Sequence, residues 1–257
     1  MTITLTIISA YFAACTASFV LAAAERTLKE KKWWGAERSA CAACGKTLAV
    51  YELLPLFSYI VLKGKCSYCG AKIPVQCLIV ELIGVFCGAF FAFRFCFTPA
   101  LLICHTAFLF LLFSAYTDLK SGYVYDSWAL ASAVCGLAVR GIFCGNTAFW
   151  DGIYGVLVGG VLMLVIYLAS QKKGMGLGDV YFIIGFGALL GLKMTILGLY
   201  CAFLGGGCFA MVLLLMKQAT RKTALPLVPF LAAGALFSLI IYPAVFTWFG
   251  ITADVPF

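Results

Sequence analysis

The chain has 257 residues, of which 64% are hydrophobic and only 11% are charged, and its mean hydropathy is +1.07. Soluble domains are roughly half apolar and a quarter charged, so this composition excludes a soluble protein and indicates an integral membrane protein. The net charge of +8 fits loops that face anionic lipid. A nucleic-acid partner is not expected, because aromatic and basic residues do not interleave as such a surface requires.

Apolar runs long enough to cross a bilayer recur along the chain, which predicts an all-α polytopic bundle of about eight transmembrane helices. The runs cover residues 2–24, 76–97, 99–117, 127–145, 150–170, 177–193, 195–216 and 228–250. The first run is too long for a signal-peptide core and lacks a basic region before it, so we interpret it as a span. The predicted domains are a first transmembrane helix (1–24), a cytoplasmic loop domain (25–75) and a membrane domain (76–257).

The positive charges predict the orientation of these spans. Segment 25–75 holds nine of the 18 Lys and Arg residues. Placing it in the cytoplasm brings six more inside, namely Lys120, Lys172, Lys173, Lys217, Arg221 and Lys222. Only Arg94, Arg140 and Lys193 then lie outside. The positive-inside rule therefore predicts that both termini lie outside and that the basic segment faces the cytoplasm.

The basic segment carries two C-x-x-C pairs, each followed by glycine: Cys41 with Cys44, and Cys66 with Cys69. Four thiolates at this spacing fit a structural zinc site, and a redox-active dithiol is the alternative because a cytoplasmic disulfide framework is not expected. A loop of about 50 residues has little core, so a bound metal would supply much of its folding free energy.

The apolar run at residues 51–65, between the two cysteine pairs, is too short to span a bilayer. We interpret it as a segment at the cytoplasmic membrane interface. An ordinary apolar core element of a small domain is equally compatible with its composition.

Two aspartates mark the ends of predicted spans: Asp118 ends the third span and Asp179 opens the sixth. An ionisable residue there is costly and indicates a function. Two crossings separate these residues, so both are expected at the cytoplasmic face, where they can form the acid and base of an aspartic protease. Gly174, Gly176 and Gly178 permit an irregular backbone against which a peptide can lie. The alternative is a glycine-rich turn with Asp179 as a helix N-cap.

Other polar residues in the spans have simpler interpretations. Glu81, in the second span, is a possible substrate contact for a cationic group, and a hydrogen bond between helices is its alternative. His105, the only histidine, is interpreted as a packed residue. The remaining cysteines are interpreted as small packing residues. Among them, Cys96 and Cys144 approach the predicted outer face, where a disulfide can form.

Several short motifs follow one another in a recognisable order. After the first span come the cysteine pairs, Leu-Pro-Leu-Phe-Ser-Tyr at 54–59, Gly-Lys-Cys at 64–66 and Glu-Leu at 81–82. Asp-Leu at 118–119, Gly-Leu-Gly-Asp at 176–179 and Leu-Pro-Leu-Val-Pro-Phe at 225–230 complete the order. The chain thereby resembles the bacterial prepilin peptidases, also called type IV leader peptidases.

The resemblance implies a membrane aspartic protease that cleaves the basic leader from type IV prepilins or type II secretion pseudopilins. Asp118 and Asp179 would be its catalytic pair, and Cys41, Cys44, Cys66 and Cys69 would bind zinc. Many members also methylate the new amino terminus with S-adenosylmethionine. The implied location is the bacterial cytoplasmic membrane, with the active site facing the cytoplasm.

Two departures from the family pattern bear on these roles. The family often has Gly-Ser-Phe-x-Asn near the end of the first span, whereas residues 17–21 read Ala-Ser-Phe-Val-Leu, without the Gly and the Asn. This difference concerns methyl transfer more than proteolysis. The usual Ile-Pro-Asp after the first aspartate reads Val-Tyr-Asp at 124–126, so we expect Asp126 to be an N-cap and not a third catalyst.

Two other classes of protein compete with the protease. An ion- or proton-coupled transporter would use Asp118, Asp179 and Glu81 as a path through broken helices. The acids cluster at one predicted face, however, and no inverted repeat is visible. A non-enzymatic zinc-bearing scaffold would leave the glycine-flanked Asp179 without a role.

Overall fold

The computed structural model describes residues 2–31, 38–171, 175–218 and 225–248, without the side chains of residues 2 and 243–248. Parts of the sequence-based predictions lie outside these residues: the end of the last span, Lys32, Lys172, Lys173, Gly174, Arg221 and Lys222. The chain divides into two compact units, Met1–Leu101 and Leu102–Phe257. The partition predicted at residues 24 and 75 stays a prediction.

The described chain is helical. The helices are α1 (Thr2–Leu28), α2 (Phe57–Val61), α3 (Val75–Phe95), α4 (Pro99–Ser121), α5 (Asp126–Val139), α6 (Asn146–Ala169), α7 (Leu177–Leu215) and α8 (Val228–Trp248). A 3₁₀ turn covers Val50–Leu53, and a π-helical turn, Arg140–Cys144, extends α5. Within the described residues, α1, α3, α4, α6, α7 and the extended α5 are long and apolar enough to cross a membrane. The predicted class, a polytopic all-α membrane protein, is confirmed.

In the first unit, α1 and α3 approach each other closely. A Cβ atom on Gly84 would lie 2.8 Å from the carbonyl oxygen of Ala13, and one on Gly88 would lie 2.5 Å from that of Ser9. The Ser9 hydroxyl donates a hydrogen bond to the carbonyl of Gly88 at 2.7 Å. Small residues and a serine hydroxyl thus hold these two membrane helices together, as is usual where lipid removes the hydrophobic driving force.

In the second unit, α7 reverses direction at Gly191, which has φ +79° and ψ 178°. Methyl groups of Ile183 and Thr195 both lie 2.7 Å from the position of a Cβ atom on Gly159. In a straight helix these two residues would be about 18 Å apart along the axis. The helix therefore consists of two antiparallel arms, which account for the two spans predicted here, with the turn at Gly191 and not at residue 194.

A buried ion pair caps both arms at this reversal. Arg140, which is fully buried, lies 2.5 Å from Asp151 and donates to the carbonyl of Leu189 at 3.3 Å. Asp151 accepts the backbone N–H of Leu192 at 3.3 Å. The guanidinium thus meets the carboxyl end of the first arm and the carboxylate meets the amino end of the second, as the helix dipoles favour. Arg140 was predicted only as an outer positive charge.

The other predicted packing residues are found as follows. His105 is buried in α4, in keeping with its interpretation as a packed residue. Cys96 and Cys144 are both free thiols, so the disulfide considered for them is not present.

Candidate active site and metal centre

A cleft of about 670 Å³ opens in the second unit. It lies between the end of α4, the loop at residues 122–125, the start of α7 and the segment that leads into α8. Three carboxylates line it: Asp118, Asp126 and Asp179. The fold therefore brings together two aspartates that are 61 positions apart in the sequence.

Asp118 lies at the end of α4, where the chain leaves the helix. Gly122, at φ +66°, donates its N–H to the Asp118 carbonyl at 2.8 Å and so ends the helix in a left-handed conformation that glycine favours. The Asp118 side chain is 7% exposed, and its Oδ2 accepts the backbone N–H of Val228 at 3.2 Å. That N–H is the first of α8, and the amino end of a helix favours a carboxylate.

Asp179 lies in the first turn of α7. Gly176 is the N-cap, and Asp179 Oδ2 reaches back to accept the Gly176 N–H at 3.1 Å. The alternative in which Asp179 itself is the N-cap is therefore wrong, because the carboxylate makes the reciprocal bond of a capping box from three positions inside the helix. Asp179 is 8% exposed, so its carboxylate, like that of Asp118, is largely withdrawn from solvent.

The two glycines before Asp179 have different environments. A Cβ atom on Gly178 would lie 2.9 Å from the Cβ of Val124, which is itself buried. A Cβ atom on Gly176 would come no closer than 3.8 Å to any neighbour, and the Gly176 φ of −82° suits any residue. Only Gly178 is therefore required by close packing, where the start of α7 meets the loop at residues 122–125.

Two other predicted site residues differ from Asp118 and Asp179. Asp126 lines the cleft, but the N-cap of α5 is Tyr125, so the prediction of Asp126 as N-cap is wrong by one position. Glu81 lies in the first unit, where its Oε1 accepts the Ser18 hydroxyl and its Oε2 accepts the Leu56 N–H, both at 2.9 Å. Glu81 thus makes a hydrogen bond between helices α1 and α3, which was the alternative to a substrate contact. Its contact with a substrate stays a prediction.

The four cysteines of the first unit form one cluster. The sulfur atoms of Cys41, Cys44, Cys66 and Cys69 all lie within 4.8 Å of one another. Cys41 Sγ and Cys69 Sγ are 3.9 Å apart. A tetrahedral metal with bonds of about 2.3 Å to sulfur needs separations of about 3.8 Å, so the cluster can bind such a metal with little movement.

The two cysteine pairs have the same backbone conformation. In each, the glycine after the second cysteine has φ +71° and donates its N–H to the carbonyl of the first cysteine at 2.9 Å. Backbone N–H groups of Cys44 and Ala43 lower the pKa of Cys41 to about 6, which favours the thiolate that binds metals.

Two supporting contacts were not predicted. Glu52, which is buried, accepts the Ala49 N–H at 2.7 Å and the Ser67 hydroxyl, and these bonds lower its pKa. This carboxylate connects the 3₁₀ turn to the second cysteine pair.

The bond from Val228 to Asp118 joins residues 110 positions apart. Its only sequence signal was the Leu-Pro-Leu-Val-Pro-Phe motif, to which no role was given.

Comparison with known proteins matches both units. A family model described as Bacterial Peptidase A24 N-terminal domain matches residues 11–95, which include the cysteine cluster. A model described as Type IV leader peptidase family matches residues 105–215, which include Asp118 and Asp179.

Similar proteins carry the name prepilin leader peptidase/N-methyltransferase. The one from Bacillus subtilis is 27% identical over 79% of this chain and 81% of its own length. The one from Pseudomonas aeruginosa is 29% identical over 79% of this chain and 71% of its own length. No solved structure matches. These findings give no support to the transporter alternative.

Proposed function

Because this chain belongs to the type IV leader peptidase family, we propose that it cleaves the basic leader from type IV prepilins or type II secretion pseudopilins, with Asp118 and Asp179 as its catalytic pair. It is an aspartic-type endopeptidase and a multi-pass membrane protein. The observation that carries the residue assignment is the single cleft lined by both largely buried carboxylates.

The chemistry follows from the confinement of two carboxylates in one cleft. Two such groups in a desolvated site do not both ionise cheaply, so the pair holds one proton between them. The ionised carboxylate takes a proton from water, which attacks the scissile carbonyl, while the protonated one donates to the developing oxyanion. Asp118 accepts one backbone N–H, from Val228, and Asp179 accepts one, from Gly176. These hydrogen bonds therefore do not show which aspartate is the acid and which is the base.

The charge of the cleft suits the proposed substrate. Three aspartates line it, and none of the described residues in its lining is Lys or Arg, which complements a basic leader. In the orientation proposed from the positive charges, the cleft faces the cytoplasm in the bacterial inner membrane. The leader then lies on the aqueous side and the apolar segment of the pilin lies in the bilayer, with the cut at their boundary.

Cleavage is tested with the full chain in liposomes and a purified prepilin. We expect a shift of leader size on a gel and a new amino terminus in the mass spectrum. An intact prepilin after prolonged incubation, with the chain folded and zinc-loaded, would contradict the proposed function.

Methyl transfer with S-adenosylmethionine is the second activity in the names of the similar proteins. In this chain Leu21 is buried, and the Ser18 hydroxyl donates to Glu81, so neither holds a substrate amine. We therefore expect cleaved pilin with little methylation. Mass spectrometry of the processed pilin measures this directly, and quantitative addition of one methyl group would show that Leu21 is no obstacle.

We propose zinc as the metal of the cysteine cluster, because four thiolates without histidine form a closed structural site for this ion. The chain is expected to hold about one zinc per molecule, and replacement of Cys41, Cys44, Cys66 or Cys69 by serine should reduce zinc well below that level. Metal analysis of purified protein measures the content. Cys208→Ser, an exposed cysteine outside the cluster, is the matched control. Full zinc in all four variants would contradict the site.

Gly178→Ala should lower kcat/KM for prepilin by about tenfold to a hundredfold, because the new methyl group collides with Val124 and displaces Asp179. Gly176→Ala is the matched control and should retain activity within about twofold, since its methyl group has room. Equal loss in both variants would show that the backbone of the motif, and not the close packing at Gly178, limits the reaction.

A further inference from the structure

The segment at residues 50–61 exposes more apolar surface than a small aqueous domain tolerates. Six of its large side chains are between 43% and 72% exposed: Val50, Tyr51, Leu53, Phe57, Ile60 and Val61. Apolar side chains concentrated in this way mark a surface that is covered in the functional state.

A hydrogen bond from Leu56 places this segment beside a membrane helix. The Leu56 N–H donates to Glu81 at 2.9 Å, and Leu56 holds φ +60°, a conformation that leucine adopts only when its surroundings impose it. Glu81 lies six positions past Val75, the first residue of α3, which corresponds to about 9 Å along the axis. The segment therefore lies beside the first turns of α3, near the amino end of this membrane helix.

The exposed charges in the same part of the chain are cationic. Between residues 38 and 74 the basic side chains are all exposed: Arg38, Lys46, Lys63, Lys65 and Lys72. Glu52 is the only carboxylate in this range, and it is buried against Ala49 and Ser67. The exposed charge attracts anionic phospholipid and repels a basic leader peptide.

We propose that the segment at residues 50–61 docks the cysteine module, which comprises residues 38–74, into the headgroup region of an anionic bilayer leaflet. The apolar side chains enter the acyl boundary, the surrounding lysines bind lipid phosphate, and Glu81 is the tether that fixes the depth. The cysteine module is then held on the membrane surface and does not extend freely into solution. This role goes beyond the peptidase activity and does not depend on it.

Photo-crosslinking in the full chain tests the contact with lipid. p-Benzoylphenylalanine replaces Ile60, which is 72% exposed, or Ala43, an exposed control in the first cysteine pair. Both variants are reconstituted in nanodiscs that contain phosphatidylglycerol. After illumination we expect phospholipid adducts on the Ile60 variant and few on the Ala43 variant by intact mass. Equal adducts at both positions would overturn the proposal, as would an Ile60 variant that captures added prepilin in place of lipid.

The lysines are tested by hydrogen exchange of the segment amides in the Lys63→Gln/Lys65→Gln variant. In phosphatidylglycerol nanodiscs we expect the protection of these amides to fall about thirtyfold. Each lysine near an anionic surface contributes about 1 kcal/mol to docking, and the loss of two lysines, about 2 kcal/mol, corresponds to that factor. In phosphatidylcholine nanodiscs the variant and the natural chain should exchange alike. Unchanged protection in the anionic lipid, with the zinc content retained, would overturn the role of charge.

Discussion

Replacement of Asp118 or Asp179 by asparagine should lower prepilin cleavage by roughly a thousandfold or more, since each variant removes one half of the proposed acid and base pair. The amide oxygen of asparagine still accepts the N–H of Val228 or Gly176, so the local fold should persist. Single-turnover rates of the reconstituted variants, with expression and zinc content checked, measure the effect.

The matched control for this experiment is Asp126→Asn. Asp126 lines the same cleft at the first residue of α5, so it shares the electrostatic surroundings of the pair. We expect this variant to retain the cleavage rate within about an order of magnitude, because its charge attracts the leader without taking part in proton transfer. If Asp126→Asn were as inactive as Asp118→Asn, the catalytic pair would need to be reassigned.

The second large effect is expected at the reversal of α7. Asp151→Asn removes the carboxylate charge that pairs with the fully buried Arg140 and should destabilise the chain by about 3–5 kcal/mol. Asparagine can still accept the Leu192 N–H. The loss of stability therefore reports the missing charge and not the loss of this hydrogen bond. Thermal unfolding of the purified protein in detergent measures the change.

Arg94→Gln is the comparison for the ion pair, because it removes an exposed charge near the end of α3. We expect its unfolding temperature to lie within the error of the natural chain. An unchanged unfolding temperature in Asp151→Asn would mean that the charge of Asp151 contributes nothing to stability and that the hydrogen bonds at the reversal suffice.

Local patterns predicted most of the spans and the cysteine cluster. Long apolar runs mark membrane helices because lipid requires every backbone group to be paired within the segment. The C-x-x-C pairs predicted the cluster because two thiolates on one tight turn, followed by glycine, are a local arrangement. The apolar runs and the C-x-x-C pairs can both be recognised without knowledge of which helices pack together.

Contacts between distant segments were beyond the reach of the sequence. The length of the apolar run predicted two spans with a break at residue 194, but the position of the turn at Gly191 depends on Arg140 and Asp151 from other helices. The bond between Val228 and Asp118 and the two partners of Glu81 are likewise long-range. A carboxylate in an apolar run signals that a partner exists, and only the fold shows which one.

The reversal at Gly191 also makes the first arm of α7 shorter than the thickness of the bilayer. The first arm of α7, which begins at Leu177, rises only about 21 Å, whereas the hydrocarbon layer is about 30 Å thick. An arm this short does not reach both surfaces, so the bilayer thins around it or one end lies among acyl chains. With the reversal at the far surface, the sunken end carries Asp179. In the proposed peptidase, the water for hydrolysis would reach this end of the arm through the open cleft beside Asp179.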